Sequence, residues 1–161
     1  MARVIAMLNE TKNALEGFEE VWSRVSGGAG DAPDESALLR GFITNAERAS
    51  ELYCLLARRM SGCADALRRL AMEERRTRRC MEGELFLLSG DSFCPAPACP
   101  VVHGCLSALR RAYIDELDSA RAYREAAKAT ECPQRQTLYL RTARVEQCHA
   151  ECLRALVMRS I

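Results

Sequence analysis

The sequence lacks several features that would assign the chain to a familiar class. No apolar run reaches the roughly 18 residues of a membrane-spanning helix, and the N-terminal apolar run is too short for a signal peptide and has no clear cleavage site. No Cys-x-x-Cys pair occurs, which excludes rubredoxin-type iron sites and zinc ribbons. The net charge of +1 gives no overall attraction to nucleic acid or membranes. We therefore expect a cytoplasmic protein that binds neither.

The composition is that of a soluble globular protein. The chain has 161 residues, of which 48% are apolar and 28% charged, so it is long enough for one domain with a substantial core. Nine cysteines are many, and an odd number cannot pair completely within one chain. Most of them fall singly inside helical patterns, and we expect reduced thiols that fill the core.

Apolar residues recur every three or four positions along most of the chain, which predicts an all-α protein. The first 25 residues predict one helix, and the Gly- and Pro-containing stretch 26–33 predicts a linker, so 1–33 forms an arm separate from 34–161. The rest of the pattern predicts four helices: 36–60, 63–89, 104–130 and 134–158.

Residues 90–103 interrupt the pattern and contain three prolines, so they cannot be helical throughout. A segment of this length can stretch roughly 46 Å, which exceeds the roughly 30 Å of a twenty-residue helix. The segment can therefore cross the whole bundle and start the third main helix parallel to the second. Two short turns and one long crossover predict two antiparallel hairpins joined as in a ferritin-like four-helix bundle.

Three of the predicted helices carry a glutamate in an otherwise apolar stripe: Glu74, Glu116 and Glu146. The last helix adds His149, three residues after Glu146 and therefore on the same face. One interpretation is a polar layer whose members satisfy one another. The other is a metal site, because three neighbouring carboxylates repel unless a cation or other partners compensate them, and oxygen and nitrogen ligands suit iron, manganese or zinc.

In these stretches the sequence resembles the ferritin-like superfamily, and most closely the rubrerythrin-like di-iron proteins. The resemblance covers about residues 36–161 and rests on MetGluGluArgArgThrArgArg, TyrIleAspGluLeuAspSerAlaArgAlaTyr and ValGluGlnCysHisAlaGlu. In that family each half of the bundle supplies a Glu, followed seven residues later by Tyr, and a Glu-x-x-His from the next helix. The resemblance implies one intact half, in which Glu116 with Tyr123 and Glu146 with His149 match the pattern.

The other half departs from the family pattern at two positions. Seven residues before Tyr53 stands Ala46 where the family has Glu, and three after Glu74 stands Thr77 where it has His. Glu47 is adjacent, but one residue turns about 100° around a helix, toward the flank. The resemblance therefore implies one metal ion, iron, manganese or zinc, held by Glu74, Glu116, Glu146 and His149, and makes a di-iron centre less favoured.

A run of arginines surrounds Thr77: Arg75, Arg76, Arg78 and Arg79. We favour a solvated face paired with acids such as Glu73 and Glu82 over an anion or nucleic-acid site.

A second group of possible metal ligands lies in and after the crossover: Cys94, Cys99, His103 and Cys105. Their spacing matches no common zinc pattern, and incidental thiols in a proline-rich segment are the favoured interpretation. Cys148 and Cys152 lie one helical turn apart, and we interpret both as packing residues.

Three functions from different classes remain open at this stage. The first is a metal-binding protein in oxidative-stress or iron chemistry; if it is an enzyme, it is an oxidoreductase acting on O2 or peroxide. The second is a non-catalytic descendant of the fold that serves as a binding or structural protein without metal. The third is a protein that recognises a ligand or partner through arginine and keeps the bundle as a scaffold. A homodimer is a possible assembly. The sequence does not identify a small-molecule substrate.

Overall fold

A computed structural model of the chain describes residues 34–160. These residues form four long helices and no strand: α1 (Glu35–Arg59), α2 (Ala64–Ser89), α3 (Cys105–Ala129) and α4 (Pro133–Arg159), with a 3-10 turn at Ser61–Cys63. Each predicted boundary of the four helices agrees to within one residue. The predicted N-terminal helix and linker lie outside the described residues. None of the described helices is long and apolar enough to cross a membrane.

Local chemistry explains where the helices begin and end. α1 has Glu35 in its first turn and two arginines in its last, which is the favourable arrangement for the helix dipole. α2 ends at Gly90, whose φ of 74° is the left-handed conformation that glycine adopts without a steric penalty. α4 starts at Pro133, where the missing N–H of proline would have had no helical partner.

The connection between α2 and α3 runs the length of the bundle. Asp91, at its start, accepts a hydrogen bond from Arg40 at 3.1 Å, and the carbonyl of Val102, near its end, accepts one from Arg59 at 2.8 Å. Along a helix, the interval from residue 40 to residue 59 spans about 28 Å. α1 with α2 and α3 with α4 are the two hairpins, and α1 contacts α3 while α2 contacts α4 across them. This is the ferritin-like connection, as the sequence predicts.

The hydrophobic core consists of two clusters with a polar layer between them. One cluster includes Leu67, Leu109 and Leu153, and the other includes Phe42 and Met81. On each helix, buried polar residues lie between the two clusters in sequence: Ser50, Glu74, Thr77, Glu116, Glu146 and His149. Thr142 is also buried and lies beside Ala143 of the second cluster. The layer occupies the middle of the bundle, where water has least access.

The cysteines do not fill this core, contrary to the expectation from the sequence. All nine are unpaired, and each is exposed or only partly buried. Cys148 is exposed and Cys152 partly buried, so the interpretation of both as packing residues is wrong for Cys148. The reason is positional. The buried faces of the helices consist mainly of larger aliphatic residues and alanines, whereas the cysteines lie at the flanks of the apolar stripes or between the long helices.

Candidate metal centre

Three helices bring four ionisable side chains together in the polar layer: Glu74 from α2, Glu116 from α3, and Glu146 and His149 from α4. We call these four residues the inner layer. Their relative exposures are 2%, 4%, 3% and 1%, respectively. Each offers one ligand atom, and the four atoms all lie within 4.8 Å of one another. The sequence predicts this set of residues, and the structure brings all four together; that they bind metal stays a prediction.

The two ring nitrogens of His149 have different surroundings. Nδ1 lies 2.8 Å from Oε1 of Glu74, and 3.7 and 3.8 Å from carboxylate oxygens of Glu146 and Glu116. Nε2 points the other way and lies 2.7 Å from Oε2 of Glu73. The imidazole is therefore held between a buried group of three carboxylates and a half-exposed carboxylate at the bundle flank.

Protons offset part of the carboxylate charge in the inner layer. Burial raises the pKa of Glu74 to about 7, against the lowering effect of its hydrogen bond with His149. Burial, and next the hydrogen bond shared with Glu146, raises the pKa of Glu116 well above its usual range. Burial lowers the pKa of His149, but its contacts with Glu146 and Glu74 outweigh this and raise it to about 11. A cation at the same point would replace these protons.

Tyr53 fixes one carboxylate of the inner layer from the opposite hairpin. Its buried hydroxyl donates a hydrogen bond to Oε1 of Glu116. Burial, with the nearby Glu116 charge, raises the pKa of Tyr53 well above its usual range, so the hydroxyl remains a donor. Tyr123, seven residues after Glu116, instead stacks on Phe42 with ring centroids 3.9 Å apart. Of these two tyrosines, Tyr53 is therefore the one that hydrogen-bonds to a carboxylate of the inner layer.

The hairpin formed by α1 and α2, which contains Ala46 and Thr77, supplies fewer possible ligand atoms. Ala46 and Thr77 are buried, with 4% and 9% exposure, and an alanine offers no ligand atom. The adjacent Glu47 does not substitute, because it accepts a hydrogen bond from Arg78 at 2.9 Å. Arg78 also lies 3.5 Å from Glu82. A carboxylate committed to this ion pair is poorly placed to ligate a second metal ion.

The arginines of α2 are partnered differently from the sequence expectation. Arg78 does pair with Glu82. Arg75, however, donates a hydrogen bond to Ser50 at 3.1 Å and lies 3.7 Å from Glu51 on α1. The expectation that Glu73 pairs with this arginine run is wrong, because its carboxylate contacts His149. The position of Glu73 next to Glu74 turns it toward α4 instead of toward α1.

The cysteines and histidine in and after the crossover do not form a second site. Among residues 34–160, the inner layer is the one group of at least three His, Cys, Asp or Glu residues whose ligand atoms come close enough to share an ion. His103 and two of the three cysteines in that stretch are exposed. The sequence interpretation of these thiols as incidental is consistent with this placement.

The fold and the inner layer together define a class: a ferritin-like helical bundle with a buried carboxylate–histidine group that could hold a metal ion. Residues 107–159 match the family model described as Rubrerythrin. The match covers about a third of the chain, so α3 and α4 are similar to the rubrerythrin family, and the four-helix fold is ferritin-like. No curated protein and no solved structure matches the chain.

The family match falls on the hairpin that carries most of the candidate ligands. Residues 107–159 cover most of α3 and all of α4, the hairpin that carries Glu116, Glu146 and His149. The hairpin formed by α1 and α2, which contains Ala46 and Thr77, lies outside the match. The hairpin that matches the family model is thus the one that carries three of the four candidate ligands.

Proposed function

We propose that the protein binds one transition-metal ion in the inner layer, with Glu74, Glu116, Glu146 and His149 as ligands. The observation that carries this proposal is the convergence of four buried ligand atoms within 4.8 Å of one another. Three carboxylates and one imidazole are a donor set suited to iron, manganese or zinc. Solvent or a small ligand would complete the coordination.

The residues around the layer are suited to holding these ligands in place. Tyr53 donates to Glu116, which fixes the orientation of that carboxylate. Nδ1 of His149 faces the three glutamates, so its lone pair can reach an ion at their centre once the ring has lost that proton. The apolar clusters above and below the layer exclude water, which strengthens the attraction between a cation and these charges.

The ligand count favours a single ion over a pair. A second ion would have only shared oxygens of the three glutamates and solvent, because Ala46 and Thr77 stand where the family has ligands and Glu47 is paired with Arg78. A bound iron ion would supply redox chemistry toward O2 or peroxide, and an oxidoreductase in oxidative-stress or iron chemistry is the activity we propose for an iron-loaded form. Since the family uses two metals for this chemistry, we expect its rate to be low.

A second function has its own supporting observation. The inner layer is satisfied internally without a metal: His149 contacts Glu74 and Glu73, Tyr53 donates to Glu116, and Glu116 shares a hydrogen bond with Glu146. A non-catalytic descendant of the fold, acting as a binding or structural protein, would need such an arrangement. The side chains of the inner layer would then keep their protons, and no cation would bind among them.

Titration of metal-free protein with Fe(II), Mn(II) and Zn(II) separates the two functions. We expect saturation at about one ion per chain, which His149→Ala should prevent. His103→Ala is the matched control, because His103 is the only other histidine and lies exposed in the crossover. If none of the three metals binds, or if binding is unaffected by His149→Ala, the non-catalytic alternative replaces the metal proposal.

A further inference from the structure

Glu73 is a half-exposed carboxylate that reaches a fully buried imidazole. Its side chain is 46% exposed, whereas that of His149 is 1% exposed, and Oε2 of Glu73 lies 2.7 Å from Nε2 of the ring. Glu73 belongs to α2 and His149 to α4, so the contact joins the two hairpins. Glu73 is not itself among the four converging ligands.

The geometry assigns a direction to the hydrogen bond when Nδ1 serves as a ligand. A neutral imidazole carries one N–H, and a metal ion needs the unprotonated nitrogen. Nδ1 faces Glu74, Glu116 and Glu146 at 2.8–3.8 Å, so it is the nitrogen that faces the ion. The proton must then reside on Nε2, where the Glu73 carboxylate accepts it.

We propose that Glu73 is a positioning residue for the metal site: by accepting the Nε2 hydrogen of His149, it fixes the ring orientation and directs the Nδ1 lone pair to the ion. A carboxylate that accepts from the second ring nitrogen also makes the first a stronger donor. This inference rests on the proposed function, because it assumes that the inner layer binds a metal.

A purely structural role for Glu73 would have a different signature. The contact is an ion pair in the metal-free protein whenever the imidazole is charged, and it would then contribute to the packing of α2 on α4. Loss of that contribution would lower thermal stability without changing which nitrogen of His149 binds metal. Metal affinity and the protonation pattern of the ring therefore distinguish positioning from packing.

The affinity experiment uses the full chain and Zn(II), with competition against a chromophoric chelator. We expect Glu73→Ala to weaken Zn(II) binding about 10- to 100-fold, the range typical for loss of such a partner. Glu73→Gln keeps an oxygen acceptor at nearly the same place and should recover part of the loss. Glu82→Ala is the matched control, because Glu82 is a partly exposed acid on the same helix that pairs with Arg78.

A spectroscopic measurement tests the hydrogen bond itself. The His103→Gln background leaves His149 as the only histidine, so 15N-histidine spectra of the Zn(II)-loaded protein report this ring alone. We expect metal on Nδ1 and a slowly exchanging, downfield Nε2–H resonance that Glu73→Ala removes.

The possible failures are distinguishable. If the unmodified chain binds none of Zn(II), Fe(II) and Mn(II), the proposed function fails and this inference fails with it; if it binds Fe(II) or Mn(II) but not Zn(II), the affinity comparison is made with the metal that binds. If the unmodified chain binds Zn(II) and Glu73→Ala binds it equally well, or if Nε2 is the metal-bound nitrogen, the role of Glu73 is refuted and the metal site stands. Circular dichroism of each variant checks that it is folded, and Glu73→Gln provides the comparison if Glu73→Ala is not.

Discussion

A rise in pH should destabilise the metal-free protein, because the inner layer then loses the protons that offset its carboxylate charge. The pKa of Glu74 is raised by burial from 4.5 to about 7. The folded state therefore holds this proton more tightly than the unfolded chain does. Its contribution to stability is fully present below pH 4.5 and is lost as the pH rises to 7.

Loss of the His149 proton also lowers stability as the pH rises, but over a higher pH range. Burial lowers its pKa, but contacts with Glu146 and Glu74 raise it overall, from 6.5 to about 11. The stabilisation is complete below pH 6.5 and declines as the pH rises toward 11. For Glu74 alone, the rise in pKa from 4.5 to about 7 corresponds to a loss of about 3 kcal/mol in the free energy of unfolding once the proton is removed. Because Glu74 and His149 share a hydrogen bond, their contributions do not add, and we expect a loss of about 3 kcal/mol between pH 5 and pH 8.

Urea denaturation in the presence of a chelator, followed by circular dichroism at pH 5, 6.5 and 8, measures this loss. The matched control replaces the three glutamates together, Glu74→Gln, Glu116→Gln and Glu146→Gln, which keeps side-chain size and removes the carboxylates of the inner layer. Its stability should depend much less on pH. Equal pH dependence of the two proteins would refute the assignment of the effect to the inner layer.

Three other predictions follow from particular contacts. Glu35→Ala should lower the free energy of unfolding by about 2 kcal/mol in the same assay, because one Glu35 oxygen accepts hydrogen bonds from Thr130 at 2.7 Å and Arg135 at 2.9 Å; an unchanged free energy would contradict this. Restoring the family pattern with Ala46→Glu and Thr77→His should raise metal content toward two ions per chain, measured by elemental analysis, and a content fixed at one would argue against the ligand-count explanation. Thiol titration of denatured protein kept from air should find most of the nine cysteines free, whereas four disulfides would contradict both this prediction and the expectation of a cytoplasmic protein.

The helices and the inner layer were predictable because both depend on periodicity within a helix. An apolar stripe interrupted by Glu74, Glu116 or Glu146 fixes which face is buried, and burial of that face brings the three together. The crossover was predictable from its length and prolines. None of these features depends on how one hairpin is rotated relative to the other, so each can be predicted from the sequence.

Contacts that depend on that rotation were not predictable. Glu73 lies outside the apolar stripe, and its contact with His149 requires the actual packing of α2 against α4. The only sign of this contact in the sequence is that Glu73 is adjacent to Glu74. That position is compatible with a side chain that faces either of the two neighbouring helices. The exposure of Cys148 was missed for a related reason: cysteine is small and compatible with both core and flank, so its pattern carries little positional information.

The most direct test of the metal proposal is the metal content of protein purified without chelator, determined by elemental analysis against protein concentration. We predict about one iron, manganese or zinc ion per chain, and near zero for Glu146→Ala and His149→Ala with the fold retained. Two ions per chain in the unmodified protein would contradict the single-site proposal. No metal, in protein that also fails to bind any of the three ions on titration, would contradict metal binding altogether.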